Sequence, residues 1–317
     1  MKLSYNWKKL SWIVSFQIAL IFILSTLYLP GGADFFNYYL PVARGDWRAG
    51  FTPAFSVWFL WPLSLANHPW TVLAVITVCG ILFICWLNEV NPLYVLLSFP
   101  VFGQIWLGQV DIIPVMALLL AIKSKPWYWR GLGIFVALMK PQITLIAVIV
   151  LLIQDKDRLR LIIVPMVGII TSIIVFGFWP LEWLRHAQAL PGHTWRLASR
   201  QIWFFGLVAL PLPFLLKDIK VALLVSSISS KYFSVYSYIA FMILESSPLT
   251  LFLSWSWVLA YPLLGISAMK FCWVLPVGLL IKELFSELKP YLVSRKFITN
   301  PLVDIMAPFV KTNNKEN

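Results

Sequence analysis

This sequence is short of charge. Only 12% of its 317 residues are Asp, Glu, Lys or Arg, with 13 acids set against 25 bases. A soluble domain carries about 25% charged residues, so there are too few here to cover a water-facing surface. That excludes a cytosolic globular enzyme and a disordered chain. Cysteine is scarcer still, at three residues. Cys79, Cys85 and Cys272 all lie inside apolar runs, without CxxC or Cys/His spacing, so neither a zinc centre nor a disulfide framework is supported. The sequence also lacks a Walker A loop, a GxGxxG after a strand, an HExxH and a DxD. Their absence argues against a soluble nucleotide-sugar transferase domain. The net charge of +12 would ordinarily point to nucleic acid, but these cations have no soluble domain to decorate, and no nucleic-acid partner is expected.

What is present is apolar residue, 60% of the chain, at a mean hydropathy of +0.83. The expected fold is all-α: a polytopic transmembrane bundle of about eight to ten crossings, some short or re-entrant. Residues 10–29 follow a basic start and end in Tyr28-Leu29-Pro30-Gly31-Gly32. The run is too long for a signal-peptide core and reads as an uncleaved first helix. Residues 1–288 read as a single integral membrane domain with two polar loops, 30–52 and 180–200, and 289–317 as a basic tail. Seventeen of the 25 Lys and Arg fall at the N-terminus, in 123–130, 154–160 and 217–220, and from 282 onward. The positive-inside rule then puts both termini in the cytoplasm and both polar loops outside.

Two stretches break the pattern. Residues 131–153 carry cations on both flanks, yet a two-way crossing takes about 40 residues. A short hairpin with Lys140-Pro141 at its tip resolves the conflict. Residues 93–103 and 110–122 are likewise short, separated by Gly103 to Asp111. Non-helical backbone at membrane depth survives only where protein buries it or a wet cavity adjoins it. A polar cavity walled by these two tips and open to the outside is therefore expected.

The chemistry-bearing candidates lie around that cavity. Asp34 sits just beyond helix one in Gly31-Gly32-Ala33-Asp34-Phe35-Phe36-Asn37-Tyr38-Tyr39. A half-shielded carboxylate there suits general-base work on a hydroxyl; it suits a solvated loop acid or a helix N-cap as well. Lys140 in an apolar run costs about 2.5–3.5 kcal/mol on insertion scales, so it needs a wet site or a partner. A lipid-linked phosphate would satisfy it, and so would a salt bridge to Asp111 or a loop acid. Gln109 and Asp111, in Gly108-Gln109-Val110-Asp111, offer an amide that both donates and accepts. In the second loop His186 and His193, beside Arg185, Arg196 and Arg200, could act as base or phosphate clamp, or simply form the loop's polar side. Trp195 and Trp203 could stack on a sugar.

In this order the motifs resemble the GT-C superfamily of integral-membrane glycosyltransferases, and especially the bacterial polyprenyl-phosphate-mannose-dependent mannosyltransferase type, glycosyltransferase family 87. The likeness runs over about residues 10–180. It takes in helix one, Asp34 to Tyr39, Gly45, and Phe51-Thr52-Pro53. It continues through Leu107-Gly108-Gln109-Val110-Asp111, where the family's element has an asparagine at the last position. Arg130-Gly131-Leu132-Gly133 leading to Lys140-Pro141 and the basic 154–160 cluster complete it. The resemblance implies a polyprenyl-phosphate-sugar donor and a lipid or glycan acceptor, with no cofactor beyond an open question of a divalent metal. It implies a bacterial cytoplasmic membrane location, among membrane lipids, with transfer at the outer face. Asp34 would deprotonate the acceptor hydroxyl, which attacks the anomeric carbon with inversion. Lys140, with Gln109, Arg196 and Arg200, would hold the phosphate, and Tyr38, Tyr39, Asp111, His186 and His193 would contact substrate. The rival readings are a transporter or lipid flippase, since broken helices and buried cations also serve carriers, and a non-catalytic scaffold subunit. The scaffold reading gains if Asp34 and Lys140 face away from a common cavity.

Overall fold

The computed structural model describes residues 5–188, 198–230 and 232–298. All regular structure among them is helical. Four helical stretches are long and apolar enough to cross a bilayer: Trp7–Tyr28, Pro69–Leu87, Arg158–Phe176 and Pro248–Leu288. The chain divides into two compact units, residues 1–277 and 278–317. The second holds the C-terminal part of the helix Val274–Ile298, and the tail beyond residue 298 lies outside the described residues.

The first helix, α1 (Tyr5–Tyr28), shows how the composition is used. Its large side chains point outward, with Phe16, Leu20 and Ile21 exposed, while small residues are buried: Ser11, Ser15, Ala19 and Thr26. Successive steps of four from residue 11 to residue 19 lie along one face. That narrow stripe packs on α2 (Pro69–Leu87), where Thr26 Oγ1 donates to Thr71 Oγ1 at 3.0 Å. Apolar outside and small or polar inside is the pattern expected where lipid replaces water, because lipid gives no hydrophobic drive for helices to associate. Such an interhelical hydrogen bond is worth about 0.6 kcal/mol.

The next apolar run is broken. Helices α3 (Phe99–Leu107) and α4 (Ile112–Lys123) meet at a bend of 120°. The sequence placed the interruption at 103–111; the helix instead runs on to Leu107. Gly108 then takes a left-handed conformation, φ +73°, which only glycine adopts without penalty. The turn is closed by Gln109, whose N–H donates to the Gln104 carbonyl at 2.8 Å. In return Gln104 Nε2 donates to the Gln109 carbonyl at 3.0 Å.

A second interruption falls where the lysine predicts one. Helix α5 (Trp127–Ala137) stops, and α6 (Pro141–Gln154) starts with Pro141 in its first turn and Lys140 at its N-cap position. Proline is well suited to that first position because its missing N–H would be unpaired there anyway. At 1.5 Å per residue both helices are shorter than the hydrocarbon core, about 30 Å thick. Proline and glycine interruptions thus turn several apolar runs into short helices. The stretches of full crossing length are correspondingly fewer than the eight to ten expected crossings.

Helix α5 lies back against α4, and against α7 (Arg158–Phe176). Its glycines explain the first contact. A Cβ on Gly133 would sit 2.5 Å from the Ala117 carbonyl oxygen and 2.6 Å from the Ala121 nitrogen, both backbone atoms of α4. Near the basic cluster 154–160, Arg130 pairs with Asp155. Burial of Asp155 works against its charge, but the Arg130 hydrogen bond, the Asp157 backbone N–H and the Arg130 charge outweigh it and hold the carboxyl below its usual range.

These contacts give a direct comparison. Gly→Ala in a helix normally gains about 1 kcal/mol of propensity. At Gly103 the nearest foreign atom to a Cβ is Tyr236 Cβ at 3.4 Å, so Gly103→Ala should hold or raise the melting temperature in micelles. Gly133→Ala should lower it by several degrees, because α4 and α5 must separate.

Candidate functional site

The cavity is assembled from the exits and breaks of these helices. As α1 ends, Gly32 N–H donates to the Trp106 carbonyl at 2.8 Å, pinning the chain to the end of α3. Trp70 on α2 does the same from the side, its Nε1 donating to the Ile105 carbonyl at 3.0 Å. Asp34 follows at once, ahead of a π-helical turn, Phe35–Tyr39. It stands at the N-cap position of that turn, yet its side chain does not cap it. Instead Asp34 Oδ2 accepts a hydrogen bond from Gln109 Nε2. Turns of this widened kind are frequent at functional sites.

Gln109 is the centre of the network. Its Oε1 accepts from the Tyr39 hydroxyl at 2.8 Å and from Lys140 Nζ at 3.1 Å. Lys140 in turn forms an ion pair with Asp111 Oδ1, and the other Asp111 oxygen accepts from Ser237 Oγ. Asp111 is fully buried and Lys140 is 4% exposed. The alternative of a salt bridge between these two is therefore the arrangement found. The Lys140 ammonium also lies over the Tyr39 ring, 5.0 Å from its centre, and 5.9 Å from the Tyr236 ring. An ammonium has three donors; Asp111 and Gln109 take two of them.

Asp34, Tyr38, Tyr39, Gln109 and Lys140 all line one cavity of about 260 Å³. Its far wall comes from a segment in which the sequence singled out no residue: Tyr232, Ser234 and Tyr236, with Met269 beyond. Burial pushes the Tyr39 phenol well above its ordinary value, with the Asp111 charge acting in the same direction. Burial does the same for Tyr236, and for Tyr232 against the opposing pull of Lys140. All three phenols therefore remain protonated, donating groups at neutral pH.

The two polar segments meet at the cavity rim, the second of them through a helix, Trp179–Gln188, where a loop was expected. Arg48 pairs with Glu182 at 3.0 Å. Trp183 Nε1 donates to the Phe51 carbonyl at 3.0 Å, and His186 stacks on the Phe51 ring at 5.3 Å between centroids and 21° between planes. His186 thus reaches the site only through Phe51. His193, Trp195 and Arg196 lie outside the described residues, as does the side chain of Arg200. Trp203 is on the helix Ala198–Ala209, where its ring meets Phe204, and it does not line the cavity. Among the described residues no group of three His, Cys, Asp or Glu comes together to hold a metal ion.

No protein-family model, curated protein or solved structure matches the chain.

The network makes Gln109 a sharp structural probe. Gln109→Met strands the Tyr39 hydroxyl and one Lys140 donor in a buried site, at about 1–3 kcal/mol for each unsatisfied group. Unfolding of the purified protein in micelles should show that loss. Gln142→Met, at a cavity-lining residue outside this network, should stay within about 0.5 kcal/mol of wild type.

Proposed function

We propose that this protein is a membrane glycosyltransferase of GT-C type. On this reading it moves a sugar, mannose or a similar hexose, from a polyprenyl-phosphate donor to a lipid or glycan acceptor. Transfer takes place at the outer face of a bacterial cytoplasmic membrane, with both termini in the cytoplasm. One observation carries the reading: Asp34 and Lys140, far apart in sequence, line the same cavity and are bridged there by Gln109. A scaffold subunit has no need to bring an acid and a cation into one enclosed polar space.

In this reaction Asp34 takes the proton of the acceptor hydroxyl as that oxygen attacks the anomeric carbon from the face opposite the departing phosphate. One C–O bond forms, the bond to the phosphate oxygen breaks, and the sugar inverts. The Gln109 amide, held by Tyr39 and Lys140, fixes the orientation of the Asp34 carboxylate. The remaining donor of Lys140 and the arginines of the second loop supply charge for the leaving phosphate, where electrostatic stabilisation is usually the largest contribution. Asp111 already balances much of the Lys140 charge, so Lys140 acts as much through Gln109 as on the phosphate.

The buried Lys140–Asp111 pair at two helix breaks also favours a second reading, a carrier or flippase, because such pairs at interrupted helices serve coupled transport. Incubation of purified protein with labelled polyprenyl-phosphate sugars and membrane lipid extract separates the two. The transferase reading expects labelled product, and at least about 100-fold less of it with Asp34→Asn, in line with the loss of a general base. Uptake of an intact substrate into proteoliposomes without product, or full turnover by Asp34→Asn, would sink it. Lys140→Ala is a poorer test, since it leaves Asp111 buried and unpaired.

A further inference from the structure

Among the described residues lining the cavity, one buried side-chain polar atom has no partner. Thr52 lines the wall beside Phe51, is 1% exposed, and its Oγ1 makes no hydrogen bond. Of the other hydroxyls around it, that of Tyr39 donates to Gln109, while Tyr232, Tyr236 and Ser234 bond among themselves. Buried polar groups are almost always satisfied, and an orphan calls for an explanation. A mobile partner, a ligand that arrives and leaves, is one that a cavity wall readily supplies.

The rest of the wall says what chemistry that ligand has. Five aromatic rings line the space, and Phe51 sits among them, 5.5 Å from the Tyr38 ring and 6.1 Å from the Tyr232 ring. Between the rings stand a carboxylate, two amides and two hydroxyls, from Asp34, Gln109, Gln142, Tyr38 and Ser234. Flat apolar faces alternating with donors and acceptors match a sugar ring, which presents C–H faces and an equatorial belt of hydroxyls. The volume, about 260 Å³, falls below the roughly 300–1,000 Å³ of sites for drug-sized ligands. One ring fits, not an oligosaccharide.

We infer that the cavity is a single-pyranose site in which Thr52 reads one hydroxyl of the sugar. A turn about its χ1 brings the unpartnered Oγ1 to the ligand, and Phe51 and Tyr232 flank the ring. Resting on the transferase reading for its identity, the bound ring is the transferred sugar.

The test is equilibrium binding to the purified full chain in micelles. The probes are methyl glycosides of mannose, glucose and galactose with their monodeoxy analogues, each competed against a tritiated glycoside. The wild type should bind at least one parent glycoside, and loss of one particular hydroxyl should weaken binding about 3–10-fold, the range of a neutral hydrogen bond. Thr52→Val should erase that one discrimination and leave the others, and Thr52→Ser should restore it. Thr52→Val should also raise the melting temperature of the ligand-free protein, since it removes a buried orphan. Failure of every glycoside to bind, or an unchanged deoxy pattern in Thr52→Val, overturns the assignment. Binding with this pattern but no transfer from polyprenyl phosphate removes the transferase reading and leaves the Thr52 site standing. Transfer with an unchanged pattern removes Thr52 alone.

Discussion

A lysine and an aspartate buried together at the ends of two broken helices set the terms for the rest of this protein. Lys140 caps α6 and Asp111 precedes α4, so their ion pair ties one interruption to the other. Neither charge is tolerable alone in a low-dielectric interior. The chain surrounds them with Gln109, Ser237 and two aromatic rings. Those partners come from remote stretches of sequence, which is why a cavity forms where apolar helices would otherwise close up.

The same pair shapes the chemistry. Gln109 is fixed on one side by Lys140 and Tyr39 and presents its amide nitrogen to Asp34 on the other. The orientation of the carboxylate is thus inherited from a pair that lies deeper in the protein. A rigid bonded arrangement behind a half-buried acid is the kind of preorganisation that transfer chemistry needs. The aromatic rim built on Phe51 joins the two polar loops, through Trp183 and His186, and puts an amphipathic lining opposite the acid.

Much of this was legible in the sequence because ionisable residues in an apolar chain are few and costly. Asp34, Asp111 and Lys140 stand out for that reason alone, Gln109 follows as the amide between Gly108 and Asp111, and the glycine and the proline beside them mark the breaks. Gly108 and Pro141 act through local backbone geometry, which a sequence displays directly. The opposite wall was not legible. Tyr232, Ser234 and Tyr236 are ordinary residues for a membrane chain, and nothing local distinguishes them. Ser237 reaches Asp111 across 126 positions, a pairing that depends on helix packing rather than on spacing. The length of the individual helices was not legible either, for a related reason. Hydropathy counts apolar runs, whereas Pro62 within Ser56–Ser64 and the turns at Gly108 and Lys140 decide how far each helix continues.

The claim on which this account turns is that Lys140 and Asp111 are a mutually dependent buried pair. A double-mutant cycle measures it most directly, with unfolding free energies in micelles for Lys140→Gln, Asp111→Asn and the two combined. Each single change should cost about 3–5 kcal/mol by leaving a lone charge buried, and the neutral double variant should recover most of that loss. Losses that simply add, or single variants within about 0.5 kcal/mol of wild type, would contradict it.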